Sequence, residues 1–144
     1  MEIKEMKYTD IRIEDILARG QYLGIKYYVK TYGTHPCGYL EVDKDIYNDK
    51  DFIESIKVHG GITYKNNSLR ISESNIIYGN FIGWDYAHAG DYMGFLISCE
   101  FCDKKYSTLE IIEDCKYVIS QIVRYKIKRG EIHATKRNTI RQPK

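Results

Sequence analysis

The strongest pattern of apolar and polar positions lies toward the C-terminal end of the chain. Leu109, Ile112, Cys115, Ile119, Ile122 and Val123 recur at helical spacing and predict one apolar face on a helix over Ser107 to Lys128. Ser107-Thr-Leu-Glu110 at its start reads as a capping box, in which the serine and glutamate side chains each accept from the other residue's amide. Near the other end, Thr9 to Gly20 predicts a short helix, with Thr9 or Asp10 capping it, acidic residues early and Gly20 at the stop. Leu23 to Tyr32 is rich in aromatic and β-branched residues, and Gly38 to Val42 follows a His35-Pro36 turn, which predicts two strands paired as a hairpin. Asp43 to Asp51 is polar and turn-like, and Asp51 to Ile56 is long enough for one helical turn.

Lys57 to Lys65 reads as a strand interrupted by Gly60-Gly61, at a bulge or a close backbone approach. Ile76 to Trp84 reads as a further strand, Asp85 to Asp91 as a loop of small residues, and Phe95 to Phe101 as one more strand. Helices do not alternate regularly with strands, so the fold class expected is α+β: a mainly antiparallel sheet packed by a long C-terminal amphipathic helix, with a short N-terminal helix. Residues 1 to 130 are expected to form one domain and residues 131 to 144 a basic, flexible tail.

Composition narrows the setting. At 144 residues and 16.9 kDa, the chain is long enough for a single domain that buries roughly two-thirds of its unfolded surface. Neither an apolar run of membrane-spanning length nor a secretory signal is visible, which points to the cytoplasm and away from a membrane. The four cysteines (Cys37, Cys99, Cys102, Cys115) read as free thiols, although Cys99 and Cys102 have metal-knuckle spacing without a second pair. The net charge of +2 hides an asymmetry. Residues 124 to 144 hold eight Lys/Arg against the single Glu131, a local balance of +7, which leaves −5 for the first 123 residues. The tail lacks interleaved aromatics, so a nucleic-acid partner is not expected.

The candidate chemistry gathers in two segments, Val58-His59-Gly60-Gly61-Ile62-Thr63-Tyr64 and Gly83-Trp84-Asp85-Tyr86-Ala87-His88-Ala89-Gly90-Asp91, which hold two of the four histidines and the sole tryptophan. Gly60, Gly61 and Thr63 offer amides and a hydroxyl to a phosphate or a sugar, but no lysine follows as in a P-loop. Asp85, His88 and Asp91, spaced three apart, converge on a helix face or a compact loop, where with His59 they suit polar contacts, acid–base work or a zinc, iron or manganese site. Trp84 and Tyr39 are the candidates to stack on a base. His35-Pro36-Cys37-Gly38 fits turn chemistry better than a Cys/His nucleophile, because no third orienting residue is evident. His133 belongs to the tail.

These segments, together with Cys37-Gly38-Tyr39 and the C-terminal helix, resemble a family of small phage and prophage proteins that share a His-Gly-Gly-(Ile/Leu)-Thr-(Tyr/Phe) motif and a Gly-x-Asp-x-Ala-His-Ala-Gly-Asp motif. The resemblance spans about residues 9 to 125. Many members carry Phe-Asp-Cys where this chain has Trp84-Asp85-Tyr86, so a role needing a thiol there does not carry over. The resemblance implies a phage setting, in which one known strategy is capture of a nucleotide second messenger of host defence.

The expectation is therefore a cofactor-free and metal-free binding protein for a small phosphorylated or nucleotide-like ligand, working in the host cell cytoplasm, with homo-oligomer formation left open. Its ligand set is His59, Gly60, Gly61, Thr63, Tyr39, Trp84, Asp85, His88 and Asp91. Two alternatives stand beside it: a metal-dependent hydrolase of a phosphoester or glycosidic bond, and a protein-binding inhibitor.

Overall fold

The computed structural model describes residues 2–94 and 103–130. Five strands, β1 (Asp15–Tyr22), β2 (Ile25–Thr31), β3 (Pro36–Glu41), β4 (Tyr64–Arg70) and β5 (Ile76–Asp85), form one sheet in the order β1-β2-β3-β5-β4. Every neighbouring pair is antiparallel, so β3 and β4 run parallel with β5 between them. Two short helices, α1 (Lys44–Tyr47) and α2 (Lys50–Ser55), bridge β3 to β4, and α3 (Thr108–Lys128) packs across β1, β2 and β3. The fold is α+β, as expected.

The N-terminal helix expected over Thr9 to Gly20 is not there; β1 runs through its second half. The reason lies at Leu23-Gly24, which adopt φ of 50° and 84° between the paired residues Tyr22 and Ile25. Two consecutive left-handed residues make the tight turn whose twist matches a hairpin, and the pairing this allows outweighs the weak capping signal upstream. Gly20 is a strand residue opposite Tyr27, where a Cβ would come within 2.5 Å of the phenol oxygen.

Lys57 to Lys65 is also not a strand until Tyr64. Gly60 and Gly61 both have positive φ, 71° and 76°, and Gly61 N donates to Val58 O at 2.8 Å, so the chain turns instead of extending. β4 itself was hidden by its polarity: Lys65, Asn66 and Asn67 are exposed on a sheet edge, where no alternation is needed. The polar Asp43 to Asp51 stretch forms helices because Asp43 and Asp49 each cap one, accepting from Ile46 N (2.9 Å) and Phe52 N (3.1 Å). The expected strand at Phe95 to Phe101, the pair Cys99 and Cys102, and the tail with His133 lie outside the described residues.

Helix α3 begins where expected, with both halves of the capping box formed. Its buried face is turned slightly from the predicted one: Ile111, Ile112, Cys115, Val118, Ile119 and Ile122 are buried, whereas Leu109 is 56% exposed. These residues pack on Leu17, Val29, Leu40, Ile82 and Trp84 to make the main core. A second cluster of Tyr28, Cys37, Tyr39, Leu69 and Phe81 covers the opposite sheet face. Ile16 of β1 and Ile71 after β4 both pack against it from opposite edges of the sheet, so the sheet curls around this cluster.

The second face holds a buried cation. Lys30 is 1% exposed, and its ammonium meets Glu14 Oε1 at 2.8 Å and the Tyr32 ring at 4.3 Å. Tyr32 in turn bonds Tyr39 hydroxyl to hydroxyl at 2.8 Å. Burial alone would raise the Glu14 carboxyl, but the hydrogen bond and charge of Lys30, with Arg12 beyond, outweigh it and hold the group below the ordinary carboxylate range. The residues before β1 then run as a strap. Lys4 N donates to Leu17 O, Lys4 O accepts from Thr108 Oγ1 at 2.6 Å, and the Tyr8 hydroxyl accepts from Tyr106 N at 3.0 Å.

Two outcomes follow for the ion pair. Glu14→Ala leaves the buried ammonium uncompensated and is expected to lower stability by about 3 kcal/mol, measured by urea unfolding at pH 7. Because the folded-state value of Glu14 is depressed, its contribution is complete above its ordinary value of 4.5 and disappears as the pH falls through the lower folded value. Glu14→Gln should therefore flatten part of the loss of stability between about pH 5 and pH 3; an unchanged slope would show that the pair does not carry it.

Candidate functional site

Strand pairing brings the two motif segments together. Tyr64 pairs with Gly83 in the β4–β5 ladder, and Thr63 N extends it by donating to Gly83 O at 2.9 Å. The first segment therefore lies beside the end of β5, where the second begins. Thr63 Oγ1 donates to Asp85 Oδ2 (3.2 Å), and Asp85 Oδ1 accepts from Ala87 N (3.1 Å), so one carboxylate ties β5 to both segments.

Asp91 makes the principal cross-link. It is 4% exposed, its amide donates to His88 O (2.9 Å), and its Oδ2 accepts from His88 N (3.0 Å) and from His59 Nε2 (2.7 Å). A carboxylate only accepts, so the proton of His59 resides on Nε2 and Nδ1 is left as an acceptor in the neutral ring. The His59 ring stacks on Tyr86 (centroids 5.0 Å apart, planes 10° apart), and His88 and Tyr106 pack at 5.4 Å and 5.1 Å. The His59 side chain remains 27% exposed and that of His88 38%.

His88 is the residue pressed against Gly60. Its Nε2 stands 3.2 Å from Asp85 Oδ1, within ion-pair distance, yet the approach is misaligned and this buried nitrogen makes no hydrogen bond. A Cβ on Gly60 would lie 2.1 Å from the same nitrogen, so glycine is required there both by its φ and by the imidazole. Gly61 faces open space.

The structure thus assembles His59, Gly60, Thr63, Asp85, His88 and Asp91 at one place. Two other expectations are corrected. Trp84 and Tyr39 are 1% and 2% exposed and pack in the two cores, so neither presents a ring face to a ligand. Of the amides expected to cradle a phosphate, those of Gly61 and Thr63 are already spent on Val58 O and Gly83 O, so neither is available to an anion. Trp84 supports the site from beneath: its indole N–H donates to the Tyr86 hydroxyl (3.0 Å), which donates to Asp114 Oδ2 of α3 (2.5 Å). Burial first, and that bond to Asp114 second, push the Tyr86 phenol far above its ordinary range, so it remains a donor.

Sequence reasoning passed over two neighbours of the site. His35, assigned to turn chemistry, lies within the fields of Asp85, Asp91 and His88; burial is the main influence and lowers its basicity. Tyr106 packs on both His59 and Tyr86, and nothing in its surroundings in the chain marks it out. Burial pushes the Cys37 thiol up to about 12, so it is a packed thiol and no nucleophile. Among the described residues, no three His, Cys, Asp or Glu side chains are grouped so as to hold a metal ion. Nor, among them, is any helix long and apolar enough to cross a membrane.

No family profile, curated protein or solved structure matches this chain. What the site can do rests on its own geometry: an orienting carboxylate, an imidazole with a directed acceptor, and a second carboxylate and imidazole, Asp85 and His88, that are partly exposed.

The two glycines give a direct check on that packing. Alanine at either position meets a left-handed backbone that costs roughly 1–2 kcal/mol. Gly61→Ala should lose only that amount, while Gly60→Ala should lose clearly more and displace the His88 ring. Thermal melts of the two variants, with the His88 imidazole resonances followed by NMR, read both effects; equal losses would show that His88 is not packed on Gly60.

Proposed function

We propose that this chain binds a small hydroxylated and phosphorylated ligand of the nucleotide type and holds it without cleaving it. The observation that supports this is the Asp91-oriented His59 beside the half-exposed Asp85–His88 pair. His59 Nδ1 accepts from a sugar hydroxyl, and Asp85, 30% exposed, offers a second acceptor. Both acceptors are fixed before the ligand arrives, which lowers the ordering cost of binding. The role we propose comes from the resemblance of the two motifs to small phage proteins: in the host cytoplasm, capture of a nucleotide immune signal would blunt defence.

A hydrolase is the second reading, and the 2.7 Å His59–Asp91 bond favours it. A carboxylate that fixes the tautomer of an imidazole also raises its ability to take a proton from water or a hydroxyl. In this reading His59 Nδ1 is the base and no metal is needed.

Thermal melts against cyclic dinucleotides and ADP-ribose derivatives separate the possibilities. Binding should stabilise the fold by about 2.7 kcal/mol at a hundredfold excess of free ligand over Kd, and raise the melting temperature accordingly. His59→Gln should abolish the shift while keeping the wild-type circular dichroism. Chromatography of the ligand after denaturation decides between holding and cleaving: intact ligand in stoichiometric amount supports capture, and product in excess of protein supports the hydrolase. No shift with any member of the panel would overturn the proposal.

A further inference from the structure

The His59 locus is well suited to hydroxyls and poorly suited to an anion. It carries two carboxylates, its oriented imidazole presents an acceptor, and the Gly61 and Thr63 amides are already used. A phosphorylated ligand needs its cations elsewhere, within reach.

Such a place exists on the other side of Thr63. Helix α2 and the chain from Ile62 to Lys65 enclose a cleft of about 390 Å³ lined by Lys50, Glu54, Ile62, Thr63, Tyr64 and Lys65. Its charged groups are two lysines and one glutamate, a net excess of one positive charge. The Lys65 ammonium is held 4.0 Å over the Tyr47 ring, a contact that positions a cation without neutralising it. Lys50 lies on the first turn of α2 and is exposed. Thr63 belongs to both places: it lines the cleft, and its hydroxyl bonds Asp85 of the His59 locus at 3.2 Å. Acceptors for hydroxyls and cations for an anion are thus separated by one residue.

We infer that the Lys50–Lys65 cleft is the phosphate subsite of this protein, and that the ligand is a sugar phosphate or nucleotide lying across Thr63, with its hydroxyls toward His59 and its anionic group between the two lysines. The assignment rests on the binding reading above. It makes the phosphate contribution electrostatic and sensitive to salt, while the hydroxyl contribution is directional and not.

The test uses inorganic pyrophosphate as a probe of the cleft alone, followed by amide NMR of the full chain and by titration at two salt concentrations. Pyrophosphate should move the Thr63 and Lys65 amides in the wild type and equally in His59→Gln. Binding should weaken by about tenfold or more in Lys50→Ala/Lys65→Ala and return in Lys50→Arg/Lys65→Arg, since the guanidinium restores the charge. The lysines are exposed, so these variants are expected to fold, and their circular dichroism verifies it. Pyrophosphate binding that survives loss of both lysines, or resonance changes confined to other residues, overturns the assignment. If nucleotides bind in a His59-dependent way while pyrophosphate does not bind, the cleft assignment is wrong and the binding proposal stands. If pyrophosphate occupies the cleft but no nucleotide binds, the binding proposal is wrong, and with it the spanning ligand.

Discussion

One carboxylate oxygen locks together the two motif segments that strand pairing brings side by side. Asp91 Oδ2 accepts from His88 N, three residues away, and from His59 Nε2, thirty-two residues away, and it does so in a buried position. Both bonds help satisfy this buried carboxylate, whose desolvation would otherwise be costly, and they link the loop after β5 to the diglycine turn. The tautomer of His59 follows from this contact, and the stacking on Tyr86 and the seating of His88 on Gly60 lie directly beside it. Its effect is local in chemistry and long-range in sequence.

The sheet order explains why the cross-link is available. By inserting β5 between β3 and β4, the topology places the end of β5 centrally, with Cys37 paired to Asp85 on one side and Tyr64 to Gly83 on the other. The site is therefore supported by both neighbours of a central strand. From beneath, α3 joins through Asp114 and the Tyr86 hydroxyl, and the N-terminal strap joins through Tyr8 and the backbone of Tyr106. Loops carry the chemistry, and the sheet, helix and strap fix their positions.

Elements with strong local signals were legible in the chain. The capping box at Ser107, the β2–β3 hairpin and the strand leading to Trp84 appear where spacing and composition predict them. The failures share a cause, in that pairing across the fold outweighs local preference. Thr9 to Gly20 has capping residues and a glycine stop, yet the Leu23-Gly24 turn recruits its second half into β1. β4 is polar because it is an edge, and an edge strand has no apolar alternation to read. The convergence of His59 with His88 and Asp91 was legible as a clustering of residue types, but their bonds were not. Trp84 and Tyr39 show the limit most clearly: an aromatic beside a glycine motif looks the same in sequence whether it faces a ligand or, as here, the core. His35 and Tyr106 reach the neighbourhood only through β2–β3 pairing and the strap, which no short-range pattern reveals.

The position of Trp84 has a practical meaning. It is the only tryptophan of the chain, it is shielded from solvent, and its indole N–H ends on a hydroxyl whose own ring lies flat against His59. The emission of a single buried indole depends on the hydrogen bond that its nitrogen makes. The protein thus contains a single buried indole two contacts below the His59 imidazole, placed where its emission can report on changes at that ring.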